Sequence, residues 1–420
     1  SREARLEALA SLPGIYIPAF AREDALGRLV GSRSMAVPVE RRCVADLDRA
    51  FFPEHMIIPS LGVVHDRVPV EVFRGCTRGC RFCQAGMMTR PVRERSPETL
   101  RRWAQTLLDD SGCQELGLLS LATCDYSQLD ELLTLLVPEL EQRRASLSLP
   151  SLRIDGFSVE LAAKLERVRR GSLTFAPEAG TERLRRVINK GLSDEEILQT
   201  VEATFRHGWE RVKLYFMMGL PTEREEDLRG LVALVRECAR VGSATARGSQ
   251  IAVSVAGFVP KAHTPFQWEG QCPPEELRER GRRIKSDLRK LRSVTVSYHE
   301  PAQTLLEGVF ARGGRECGAL LERAWRGGAR FDGWDESFRF DIWQEAFRQE
   351  GLDPVAMVSR PRERDEVLPW DHIAPGVSRE FLLRERDRAY GETLSPDCRT
   401  GHCHACGVRQ LCVSSGKAVD

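Results

Sequence analysis

The residues best suited to chemistry are cysteines, and they fall in two groups. The first is Arg74-Gly75-Cys76-Thr77-Arg78-Gly79-Cys80-Arg81-Phe82-Cys83-Gln84, with the spacing Cys-x3-Cys-x2-Cys. Three thiolates in eight residues can wrap one small inorganic cluster, and the two glycines let the loop bend around it. With only three local thiolates, one iron of a four-iron cluster keeps an open position, as a catalytic zinc does. The competing reading is three buried packing thiols. A glycine-rich loop directly after an apolar run argues for the metal.

The second group is Cys398, Cys403, Cys406 and Cys412, spaced Cys-x4-Cys-x2-Cys-x5-Cys with His402 and His404 between them. Four thiolates this close signal a metal, and both a zinc knuckle and an iron–sulfur cluster fit the spacing. The other six cysteines (Cys43, Cys113, Cys124, Cys238, Cys272, Cys317) have no spacing that calls for a role.

The elements that must position these thiols read as a β/α alternation. Apolar runs predict strands at Val68–Phe73, Glu115–Leu121, Ser151–Asp155, Ser172–Pro177, Arg211–Met217 and Gln250–Gly257. Amphipathic stretches predict helices at Pro97–Asp110, Ser127–Arg144, Ser158–Arg169, Asp194–His207, Glu223–Arg240 and Pro274–Leu291. Ser96 before Pro97 marks one helix start. The expected class is α/β: a partial, open (β/α)6 TIM-like barrel of parallel strands, with its site at the carboxyl ends of the strands.

Residues 1–66 read as a proline-punctuated strap, 67–300 as the barrel and 301–420 as a smaller, mostly helical region ending in the cysteine-rich, metal-binding tail. Helices are expected there at Gln303–Arg312, Cys317–Arg326, Glu336–Gln349 and Ser378–Tyr390. Its aromatic residues (Trp325, Phe331, Trp334, Phe338, Phe340, Trp343) read as core rather than as a stacking surface.

Composition narrows the class. Hydrophobic residues make up 42% of 420 and charged residues 29%, which excludes wholesale disorder. The longest stretch free of Asp, Glu, Lys and Arg is Ala8 to Ala21, 14 residues with two prolines, so no bilayer span is expected. A net charge of +1 gives no global pull toward nucleic acid or membrane. Thirteen cysteines without a secretory signal point to metal in the cytoplasm rather than to disulfides. The chain opens on Ser1 rather than Met, which leaves room for an upstream segment. Residues 71–105 hold eight arginines against three acids, a local excess that would suit an acidic electron donor or a phosphate-bearing substrate, or equally a solvated rim.

The three-cysteine loop, with the aromatic Phe82 before the third cysteine, resembles the cluster loop of the radical S-adenosylmethionine (radical SAM) enzymes. The resemblance continues at Leu119–Asp125, Ser151-Leu152-Arg153-Ile154-Asp155, Ala176-Pro177-Glu178-Ala179-Gly180, Lys213–Pro221 and Phe258–Phe266, each closing a later strand. These segments look like the subgroup often carrying a cobalamin-binding domain, near the methylthiotransferases. Leu368-Pro369-Trp370-Asp371-His372-Ile373 and the tail cysteines resemble an uncharacterised branch of it.

The resemblance implies that Cys76, Cys80 and Cys83 hold a 4Fe–4S cluster whose open iron chelates S-adenosylmethionine. Reductive cleavage would then give a 5′-deoxyadenosyl radical that abstracts hydrogen from a C–H position. It implies cofactor contacts at Phe82, Thr123, Asp125, Arg153, Glu178, Lys213 and Gly219: ammonium at Asp125, carboxylate at Arg153, ribose at Glu178, close backbone approach at Gly219. For Arg153, Asp155 and Glu178 a purely structural ion pair is the alternative. His263 and His299 lie near strand ends, where either a site or a structural role is open. The implied reaction is methylation or methylthiolation-like modification of an RNA or protein, with a flavodoxin or ferredoxin as electron donor. No Asp-x-His-x2-Gly signature occurs, so cobalamin would need an upstream domain or another chain. A non-catalytic iron–sulfur or zinc module that binds RNA or ribosomes is the competing class.

Overall fold

Alternation of buried and half-buried side chains builds the central strands. In Arg211–Met218, Val212, Leu214, Phe216 and Met218 are buried, while Lys213, Tyr215 and Met217 on the other face are half-buried. The computed structural model describes residues 1–64, 66–149, 153–154, 173–400, 403–408 and 412. Among them seven strands lie in two parallel sheets. The first sheet runs β1 (Val68–Glu71), β2 (Glu115–Leu119), β3 (Ser146–Ser148), with Val68 opposite Leu116 and Glu115 opposite Ser146. The second has the order β7 (Val294–Tyr298), β6 (Gln250–Gly257), β5 (Arg211–Met218), β4 (Leu173–Glu178). Parallel neighbours need a crossover, and the helices α1 (Pro97–Ser111), α2 (Leu129–Arg143), α3 (Asp194–Arg206), α4 (Glu225–Thr245) and α5 (Pro274–Leu288) supply it.

The helix ends follow the chemistry of their sequence. The Ser96 side chain accepts from Thr99 N, and Gly112 ends α1 in the left-handed region. Ser193 and Glu196 form a reciprocal capping box on α3. One core gathers Val68, Val70, Leu116, Leu118, Leu214, Phe216, Val253 and Val255 from the strands with Leu100, Leu107, Leu136, Ile197, Leu231 and Val235 from the helices.

Several expectations change. Ser146–Ser148 is a strand that the sequence reading passed over. Its neighbour Ser151–Asp155 lies outside the described residues apart from 153 and 154, as does the helix expected at Ser158–Arg169. Val294–Tyr298 adds a seventh strand. It is an edge strand with Thr295 and Ser297 exposed, so its apolar content is low and its signal weak. The sheets are those of an open α/β array, and no closed barrel is formed among the described residues.

Gly180, just past β4, fixes how closely α4 approaches the sheet. A Cβ there would stand 2.2 Å from Leu231 N and 2.3 Å from Asp227 O, both backbone atoms of α4. Gly180→Ala therefore has to push a whole helix away. It is expected to cost about 3 kcal/mol or more in chemical denaturation, and a cost under about 1 kcal/mol would contradict this packing.

Beyond β7, α6 (Pro301–Arg312), α7 (Glu316–Arg326) and α8 (Phe340–Glu350) form a second core with Leu305, Val309, Leu320, Trp343 and Phe347. Not all the aromatic residues join it: Trp325, Phe331 and Trp334 are 56%, 76% and 54% exposed. The chain then returns to the first cysteine loop. Leu368 and Trp370, with Phe381 and Leu382 of α9 (Arg379–Tyr390), pack on Met87 and Trp268. At the other end, Val39–Glu40 pairs in parallel with Ile373–Ala374, so the N-terminal strap is stitched to this returning segment. Among the described residues no helix is long and apolar enough to cross a membrane.

Candidate metal centre

The first cysteine loop is shaped by what its glycines touch. Gly75 has φ +102, and a Cβ there would lie 2.3 Å from Pro91 O, so the strand-to-loop corner admits no side chain. Cys83 caps the short helix Gln84–Met88, its Sγ accepting from Gly86 N at 3.3 Å. A Cβ on Gly86 would stand 3.5 Å from Cys83 Sγ and 3.9 Å from Cys76 Cβ, so both cysteines approach the same glycine. Burial pushes the Cys83 thiol up to about 12, and the charge of Cys80 adds to it. Burial and then Cys80 raise the Cys76 thiol as well. Thiolates here are costly until a metal takes their charge.

Arg153 is the residue beside these thiols, with Nη1 4.0 Å from Cys80 Sγ. Glu178 ends β4 at φ +69, pairs with Lys190 Nζ at 3.1 Å and contributes its charge to Cys83. Phe82 packs with Ala179, Leu184, Phe258 and Phe266, which closes an apolar wall between the loop and the later strand ends. The structure thus brings Cys76, Cys80, Cys83, Phe82, Arg153 and Glu178 together, with Asp125 held beside Cys76 through Arg78.

Other expected contacts are spent differently. Both Asp125 oxygens are held by Arg78, one from Nε at 2.9 Å, and Arg399 Nη1 donates to the Asp125 carbonyl at 2.8 Å. Thr123 is buried and its hydroxyl bonds Ser120 Oγ at 2.8 Å. Where Gly219 would carry a Cβ, Cys272 Cβ lies 2.8 Å away, so this close approach is made by the chain itself. Lys213 stacks on Tyr215 at 4.6 Å. It sits five residues before the end of β5, about 16 Å along the strand from the site.

Half of the arginine excess is interior, and of the rest only Arg74, Arg101 and Arg102 are exposed. Arg81, Arg90, Arg93 and Arg95 are buried, and Arg74, Arg78 and Arg101 are paired with Glu71, Asp125 and Glu139. Two residues that sequence reading missed secure the loops. Glu223 accepts from Gly219 N at 2.7 Å and pairs with Arg280, fixing the end of β5. Asp397 accepts from Thr77 Oγ1 at 2.6 Å and pairs with Arg399, docking the tail onto the first loop. Neither carried a motif. Of the tail cysteines, Cys403 is exposed and Cys398, Cys406 and Cys412 are half-buried, while His402 lies outside the described residues. Among the described residues no three His, Cys, Asp or Glu side chains converge as ligands of a single metal ion. A four-iron cluster takes each cysteine at a different iron.

His299 is exposed at the end of β7. His263 is 8% exposed, and burial pulls its pKa down to about 4, opposed by Asp371. The unfolded residue titrates at 6.5. Between these values the unfolded chain takes up a proton that the folded chain refuses. Stability contributed by neutral His263 is therefore present above pH 6.5 and falls as the pH drops toward 4, by up to about 3 kcal/mol. Urea melts across this range should show the loss. His263→Asn, which tolerates the local φ of +57, should flatten it. An unchanged slope would contradict the assignment.

The sequence model of the radical SAM superfamily matches residues 70–235. That span contains the three-cysteine loop, Arg153 and Glu178, and excludes the tail cysteines. The uncharacterized protein MJ0966 of Methanocaldococcus jannaschii is 30% identical over 253 residues, 60% of this chain and 53% of that protein. The chain thus spans about half the length of the curated relative it matches. Among solved structures, the radical S-adenosylmethionine methyltransferase TsrM of Kitasatospora setae with cobalamin and a 4Fe–4S cluster bound aligns at TM-score 0.43 and 14% identity, over 67% of this chain and 61% of that one. The cobalamin-dependent S-adenosylmethionine radical enzyme OxsB aligns at TM-score 0.37 and 10% identity, over 69% and 46%. Over residues 70–235, with the Cys76–Cys83 loop at their start, the chain is thus similar to the radical SAM superfamily.

Proposed function

We propose that the chain is a radical SAM enzyme in which Cys76, Cys80 and Cys83 hold a 4Fe–4S cluster beside a site for S-adenosylmethionine. The observation that carries this is the grouping of three thiols with Arg153 and Glu178 next to the end of a parallel sheet. The superfamily implies such a cluster, and the donor set fits it: three sulfurs on one glycine-rich loop. When bound, the cluster supplies the electron for reductive cleavage of the sulfonium.

The chain's own residues bind and orient. Arg153 offers a methionine carboxylate a bidentate cation beside Cys80. Glu178, oriented by Lys190, accepts from a ribose hydroxyl. Phe82, Phe258 and Phe266 keep water from the reacting atoms. Asp125 acts as a positioning residue, holding the loop through Arg78 and the tail through Arg399. The transfer half of the reading is methylation or methylthiolation-like modification of an RNA or protein C–H position. It rests on the sequence resemblance, as does a flavodoxin or ferredoxin as electron donor.

The test is anaerobic reconstitution with iron and sulfide, followed by reduction in the presence of S-adenosylmethionine. Release of 5′-deoxyadenosine is expected. Tight RNA binding without any cleavage would replace this reading with a non-catalytic module.

A further inference from the structure

Arg90 is a buried cation that the proposed site does not use. Its side chain is 1% exposed, Nε donates to Gly86 O at 3.1 Å, and the guanidinium lies 5.2 Å over the Phe381 ring. Nη1 and Nη2 are buried with no hydrogen-bond acceptor among the described residues. A guanidinium in that state is strongly destabilising unless an anion stands beside it.

The tail cysteines are what it faces. Cys406 packs in the same cluster as Phe381, the ring under Arg90, and Asp397, next to Cys398, accepts from Thr77 two residues before the Gly79 that Arg90 approaches. His404 Nε2 is a second buried atom without a partner. The backbone here is held in place: Ser378 N donates to Cys406 O at 2.8 Å, and Arg384 donates to His404 O and Ala405 O. Four thiolates around an oxidised 4Fe–4S core, each at a different iron, make a dianionic sulfur-rich centre. Its sulfurs are the acceptors that the two orphaned nitrogens lack.

We propose that Cys398, Cys403, Cys406 and Cys412 hold an anionic tetrathiolate 4Fe–4S centre, and that Arg90 is its buried counter-ion. Binding of a preassembled, oxidised 4Fe–4S core turns four thiols into thiolates and releases their protons, with no electron transferred. Arg90 also touches the first loop, with Nη2 3.6 Å from where a Gly79 Cβ would stand. The second centre therefore sits against the first.

Metal and sulfide analysis of the anaerobically purified full chain tests this. Three proteins are compared: the unaltered chain, Cys76→Ala/Cys80→Ala/Cys83→Ala, and Cys398→Ser/Cys406→Ser. The loop variant should keep one metal centre and the tail variant should lose it. Iron with matching sulfide in the loop variant supports the cluster, and zinc without sulfide there overturns it. A loop variant without metal, or a tail variant with as much metal as the unaltered chain, overturns the site. Because the loop variant lacks the proposed catalytic cluster, this outcome is independent of that reading. Arg90→Gln should release the tail metal to a chelator at least about tenfold faster, with Arg90→Lys partly restoring it. If either variant fails to fold, the metal count of the unaltered chain decides: a count no greater than one four-iron cluster overturns the proposal. Unchanged release from a folded Arg90→Gln protein overturns the counter-ion role.

Discussion

Replacing Arg81 with methionine is expected to destabilise the chain by about 3–5 kcal/mol, although Arg81 is only a spacer between Cys80 and the Phe82-Cys83 pair. Its side chain is 0% exposed. Nε pairs with Glu385 of α9 at 3.2 Å, Nη1 donates to the carbonyls of Arg186 and Val187, and Nη2 donates to the Thr393 carbonyl at 2.7 Å. One guanidinium thus ties the cysteine loop, the segment after β4 and the end of α9 together. Methionine fills the volume but leaves three carbonyls and one side of a buried carboxylate unpaired. Arg388 still pairs with Glu385 at 2.8 Å, so the carboxylate is not wholly abandoned. Lysine cannot restore the fork of donors, so Arg81→Lys should recover little. Equilibrium denaturation measures the loss, and limited proteolysis should cut the tail of the variant first. A loss under about 1 kcal/mol would show that the returning segment is not anchored here.

Cys80→Ala is expected to reduce S-adenosylmethionine cleavage at least about 1000-fold, roughly 4 kcal/mol in barrier, while leaving the fold intact. Cys80 is the middle ligand: its charge acts on both Cys76 and Cys83, and Arg153 reaches its sulfur. Two thiolates cannot retain a four-iron cluster against solvent. Its side chain is half-buried where that of Arg81 is fully buried, so the denaturation midpoint should move little. Activity loss with a preserved midpoint separates a ligand from a structural thiol. Cleavage within about tenfold of the unaltered protein would remove Cys80 from the chemistry.

How much of this was legible in the sequence depends on distance along the chain. The strands Arg211–Met218 and Gln250–Gly257 were readable because their apolar period is local. The cysteine loop was readable because its three ligands span eight residues and follow a strand. Arg81 and Asp397 were not. Their partners (Glu385 and Thr77) lie hundreds of residues away, and no local pattern encodes such pairings. The arginine-rich stretch 71–105 stayed open, between a binding face and a solvated rim, for the same reason. Composition counts charges, but only the fold shows that half of those arginines are interior struts. The sequence Leu368–Ile373 could be marked as a motif, yet its task emerged only from the packing of Leu368 and Trp370 beneath Met87. Lys213 shows the reverse error. Its place on β5 was right, but its position along the strand leaves it far from the carboxyl end where the site lies.

The central claim is that the Cys76–Cys83 loop carries a cluster with one iron open to S-adenosylmethionine. Electron paramagnetic resonance of the reduced, reconstituted Cys398→Ser/Cys406→Ser protein, recorded before and after adding S-adenosylmethionine, tests it most directly, because only the loop can then hold a cluster. The account predicts a reduced 4Fe–4S signal that changes shape when S-adenosylmethionine binds the open iron. A protein with no such signal, or a signal indifferent to S-adenosylmethionine, would contradict it.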